Sequence, residues 1–129
     1  MIRLAVVSLF LAGSEALACP MPPSAIPLAS RAQGAPLGYA QMDTPPLSAP
    51  FKIEIALCDL TEGAKALEFD AIMPAHQHGM NFDVDVAEMA DNRFEVSNVV
   101  FHMQGLWEIR IDVEVDGQTH AYTAEVLLE

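Results

Sequence analysis

From Phe51 to the end of the chain, apolar side chains recur at every second position. Phe51, Ile53, Ile55 and Leu57 alternate with Lys52, Glu54, Ala56 and Cys58, the pattern of a strand with one face in a core. Asp59 to Gly63 carries turn chemistry, after which Leu67, Phe69, Ala71 and Met73 alternate with Glu68 and Asp70 until Pro74, which cannot donate to a ladder. Phe82, Val84 and Val86 alternate with Asp83 and Asp85, although residues 83–91 also allow a brief helix. Arg93 to Met103 reads as a strand pair or one bent strand. The clearest alternation is Trp107, Ile109, Ile111, Val113 and Val115, followed by a two-residue Asp116-Gly117 turn and a returning strand with Tyr122, Ala124, Val126 and Leu128 on one face. Six to seven short strands with hairpin spacing predict a small antiparallel β-sandwich over residues 51–129.

The stretch before it has a different grammar. Eight of the nine prolines fall within residues 19–50, so this segment is not helical. It is expected to be a Pro-rich extended arm with one short edge strand around Gly38 to Met42. Residues 1–18 read as a signal peptide: Arg3, an apolar run from Leu4 to Ala12, and the small-residue site Ala16-Leu17-Ala18. That run is too short to span a bilayer, and no later stretch is long and apolar enough either. Export to a periplasmic or extracellular space follows as the expected location.

Charge narrows the partners. Among 129 residues, 18 Asp and Glu outnumber 6 Lys and Arg, for a net charge of -12. Such a chain repels phosphate backbones, so nucleic acid is not an expected ligand. The cysteines are only two, Cys19 and Cys58. In an oxidising compartment they can pair, closing a loop of about 40 residues for roughly 3 to 4 kcal/mol of stabilisation. The other reading of Cys19, first after the cleavage site, is a lipid anchor through a Leu17-Ala18-Cys19 lipobox-like sequence.

One segment carries candidate chemistry. Met73-Pro74-Ala75-His76-Gln77-His78-Gly79-Met80 gathers two of the four histidines and two of the seven methionines, and His102-Met103 follows later. Spaced two apart on an extended chain, His76, His78 and Met80 project from one face, with Gly79 free to turn. Imidazole with thioether is a soft donor set that suits copper, especially Cu(I), while zinc is served by the histidines alone. The expected metal ligands are His76, His78 and Met80, completed by His102 or Met103. Against this, Met73 is in phase with the apolar face of its strand, Met103 permits the same reading, and His120 reads as structural. Neither cysteine has a histidine beside it, so a blue-copper centre is not expected. The chain shows no Gly-rich phosphate loop, HExxH or nucleophile motif, and no enzyme is predicted.

The sequence from about Phe51 to Glu129 resembles the YtkA-like domain family of small exported immunoglobulin-like β-sandwiches. Two pieces carry the resemblance: Met73-Pro74-Ala75-His76-Gln77-His78-Gly79, and Phe101-His102-Met103-Gln104-Gly105-Leu106-Trp107-Glu108-Ile109. In the second, Gln104 stands where the family usually has proline. The resemblance implies an immunoglobulin-like fold, puts the family's histidines at His76 and His78, and implies a setting of copper handling or respiratory-oxidase assembly with a client protein to match. The expected function is reversible copper binding or delivery. The alternative is a metal-free protein-interaction module using the His-rich loop and the Trp107 edge.

Overall fold

The computed structural model describes residues 20–58, 60 and 63–129. The expected signal peptide and Cys19 lie outside the described residues, as do Asp59, Thr61 and Glu62 of the first turn. The nine described strands are β1 (Ile26–Pro27), β2 (Gly38–Gln41), β3 (Phe51–Leu57), β4 (Lys65–Met73), β5 (His78–Gly79), β6 (Asp85–Met89), β7 (Arg93–Val99), β8 (Gly105–Val115) and β9 (Gln118–Leu128). They form a five-stranded sheet in the order β1-β2-β3-β7-β6 and a four-stranded sheet in the order β5-β4-β8-β9, antiparallel throughout. With β1 set aside, the orders match the A-B-E-D and C′-C-F-G sheets of an immunoglobulin-like sandwich. Among the described residues there is no helix, hence none long and apolar enough to cross a membrane.

The core follows from the alternation. Ile53 and Ile55 of β3 and Phe94 and Val96 of β7 face Ala71 and Met73 of β4 and Trp107, Ile109, Ile111 and Val113 of β8, all buried. β8 shows the period most clearly, because Trp107 to Val115 are buried at every odd position while one face of the strand meets water. Asp116 and Gly117 both adopt positive φ, at 52° and 73°, as a tight two-residue hairpin requires. Val115 and Gln118 then pair directly.

Two expectations change. The segment 83–91 holds no helix: Asp85–Met89 is the edge strand β6, paired along its length with β7. Every residue of β6 is exposed, so backbone pairing with a neighbour, and not burial of its own side chains, makes it a strand. The second change concerns residues 19–50. The strand expected near Gly38 is β2, but it is internal to its sheet, with Tyr39 and Ala40 buried and β1 taking the edge. The same stretch bridges to the opposite sheet, where Ala29 and Thr123 exchange two backbone hydrogen bonds of 2.9 Å. Prolines flank β2 at 36 and 45 but are absent from it, so its N–H groups remain available to pair. Residues 93–103, expected as a strand pair or one bent strand, are the single strand β7 running into a buried connection at Val100 and Phe101.

Candidate metal centre

The first half of the site is the hairpin after β4. Pro74 ends that strand, His76 N donates to the Met73 carbonyl at 3.1 Å, and Gln77 takes a positive φ of 53° that closes the turn. The chain returns as β5 with His78 opposite Met73 and Gly79 opposite Ile72. Directly opposed residues project to the same face, so His78 leaves the sheet on the side where Met73 is buried. The turn precedes Gly79; His76 therefore sits in the turn itself, and Met80 lies beyond β5, half-buried against the core.

The second half is the connection that carries the chain from β7 in one sheet to β8 in the other. Phe101 is buried and stacks on Trp107, with ring centres 4.6 Å apart and planes 8° from parallel, while Phe51 meets it edge-on at 5.0 Å. Trp107 Nε1 donates to the Met103 carbonyl at 3.0 Å, which satisfies the one polar atom of a wholly buried side chain. Gly105 opens β8 at φ +127°, and a Cβ there would stand 2.9 Å from Met73 Cε. Between these two fixings His102 is held half-buried, edge-on to Trp107 with ring centres 5.4 Å apart.

The two halves meet. His78 and His102 are 6.4 Å apart between ring centres with planes at 79°, and His76 lies 6.3 Å beyond His78 at 28°. The result is a row of three imidazoles at one end of the sandwich, backed by Trp107. A metal-to-nitrogen bond of about 2.0–2.1 Å lets two ligating rings stand up to about 6.5 Å apart, the limit being a straight nitrogen–metal–nitrogen line. The observed spacings fall at that limit. Accordingly, among the described residues no three His, Cys, Asp or Glu side chains already converge tightly enough to hold an ion. His76 and His78 are exposed on a short edge strand and its turn, where core packing does not fix their side-chain torsions. The donor chemistry fits a soft or borderline metal and offers no oxygen cage for Ca²⁺ or Mg²⁺.

The remaining candidates are placed as follows. Met103, like Met80, is half-buried and packs against the core, and its carbonyl serves Trp107. Met73 is core, at 1% exposure. His120 stands opposite Val113 on β9, about 20 Å along β8 from Trp107 at the usual rise per residue, and lines a separate cavity. Cys58 is disulfide-bonded and so presents no thiolate to a metal. The role of Trp107 as the wall behind His102 is not marked by its position in a core-facing alternation. Comparison with protein-family models, with curated proteins and with solved structures gives no match to this chain.

Proposed function

We propose that the protein is an exported, periplasmic domain that binds Cu(I) reversibly through His76, His78 and His102, for storage or delivery to a copper-handling or respiratory-oxidase client. One observation carries the reading: two sequence segments that share no strand bring three imidazoles into one row at an exposed end of a rigid sandwich. Met80 and Met103, close to His78 and His102 in sequence and half-buried against the core, would add thioether donors of the same soft character. The resemblance to YtkA-like domains supports the same reading through the Met-Pro-x-His-x-His-Gly and Phe-His-Met-x-Gly-x-Trp segments. Binding needs no bond chemistry, and the domain is not proposed as an enzyme.

Titration with Cu(I) against a competing chelator tests this, with Trp107 fluorescence as a second readout because His102 touches that ring. One-to-one uptake that quenches the tryptophan and is lost in the His76→Ala/His78→Ala double variant is the expected result. Equal affinity in the double variant overturns it. A metal-free interaction module is the rival, favoured by Leu106 and Leu127, a directly paired and exposed apolar couple at the same end of the four-stranded sheet. That reading requires no stoichiometric metal and a partner whose binding is lost in Leu106→Ser/Leu127→Ser.

A further inference from the structure

A cavity of about 530 Å³ opens between the chain after β1, which bridges to the edge strand β9, and residues of β8 and β9. The paired backbone bonds between Ala29 and Thr123 fix one wall. The polar groups around it are Ser30, Arg31, Arg110, Thr119, His120 and Thr123, with a single carboxylate, Glu108. In a chain of net charge -12 with six basic residues, two arginines line one cavity.

Their state of pairing gives the ligand class. Lys52 and Arg93 are held by Glu95 and Glu54 elsewhere. Arg31 has no ion pair or side-chain hydrogen bond among the described residues. Arg110 gives only its Nε to Glu108, at 2.8 Å, which leaves both terminal nitrogens of its planar fork to bind something else. Within the lining, two guanidinium groups stand against one carboxylate, with Asp70 of β4 opposite Arg110 on the same face just outside it. Ser30 Oγ accepts from the Ala32 N–H at 3.2 Å, so its own proton is free to donate. Threonine and alanine methyl groups supply the apolar part of the wall. The volume lies in the range of small-molecule sites, about 300–1,000 Å³, and a guanidinium fork matches a carboxylate in two parallel bonds.

We propose that this cavity binds a small organic monocarboxylate, its carboxylate held by Arg31 and Arg110 and its short apolar tail against the alanine and threonine methyls. A single negative charge matches the one positive charge that the lining has in excess; a dianion would add a further charge to the acidic field of Asp70 and the rest of the chain.

The test is titration of the ¹⁵N-labelled protein with butyrate, and separately with inorganic phosphate, followed by amide shifts. Saturable butyrate shifts confined to residues 29–32, 108–110 and 119–123 are expected, weakened about tenfold or more by Arg31→Gln, the usual effect of losing a charge-assisted bond. Lys65→Gln, a basic residue away from the cavity, is expected to bind as the wild type does. The His76→Ala/His78→Ala variant is also expected to bind normally, which separates this site from the histidine row. Absence of saturable shifts, equal weakening by Lys65→Gln, or phosphate binding as tightly as butyrate each overturns the proposal.

Discussion

His78 and His102 meet edge to face, ring centres 6.4 Å apart, although one sits on a two-residue edge strand and the other in the crossover between sheets. The contact depends on Trp107, whose indole anchors the crossover through the Met103 carbonyl. His102→Ala should therefore weaken Cu(I) binding by about tenfold or more, since even residues one shell outside a metal commonly matter by that much. The half-buried ring leaves the fold intact when truncated, so chelator competition on the purified variant reads binding alone. Wild-type affinity would reduce the centre to the His76/His78 pair.

Trp107 also bears on stability. It is fully buried and stacked on Phe101, so Trp107→Ala should cost about 3 to 5 kcal/mol in urea unfolding. Trp107→Phe keeps most of the packing but leaves the Met103 carbonyl without its donor, which adds about 1 kcal/mol to the packing loss and frees the crossover. That milder variant should lose copper affinity while remaining folded. A loss under about 1 kcal/mol for the alanine variant would contradict burial of this ring.

The sandwich was legible where one face of a strand is buried and the other wet. Trp107 to Val115 and Tyr122 to Leu128 show this cleanly because each strand presents a single face to the core. β6 has no such contrast, its five residues all being exposed, and a helix competed on equal terms. β2 is short and set among prolines, so the burial of Tyr39 and Ala40 had no long alternation to announce it. The His-x-His pair is a local motif and stands in the sequence. Its meeting with His102 depends on the β4–β5 register and on the path from β7 to β8, which local patterns do not encode. Arg31 and Arg110 line one cavity through the pairing of Ala29 with Thr123, and no spacing hints at it.

Whether residues 26–41 belong to the sandwich can be tested at Gly38. A Cβ there would stand 2.7 Å from the Ala56 carbonyl oxygen and 2.7 Å from Leu57 Cδ2, so one of the two obstacles is backbone and cannot step aside. Gly38→Ala should destabilise the protein by about 1 to 3 kcal/mol, the usual cost of overpacking. Faster amide exchange should appear at Tyr39 to Gln41, and at Ala29 and Thr123, whose bridge lies beyond β2. An unchanged urea midpoint and unchanged exchange would make this stretch a detachable arm.

Tyr122 links the same stretch to β9 from the other side, its hydroxyl donating to the Pro36 carbonyl at 2.7 Å. Burial raises its phenol above the ordinary value of 10.0, because the phenolate is poorly solvated there. The unfolded chain therefore gives up this proton at a lower pH than the folded one. The stabilisation from keeping Tyr122 neutral is complete below pH 10.0 and is lost as pH rises through the higher folded value. Tyr122→Phe removes both the titration and the bond to Pro36. At neutral pH it should cost about 1 kcal/mol, the carbonyl of half-buried Pro36 having lost its donor, while its melting temperature should fall less steeply than the wild type's above about pH 10. Thermal melts of both proteins from about pH 8 to about pH 11 compare the two slopes, and parallel alkaline limbs would show that Tyr122 is not the group whose ionisation loosens the fold.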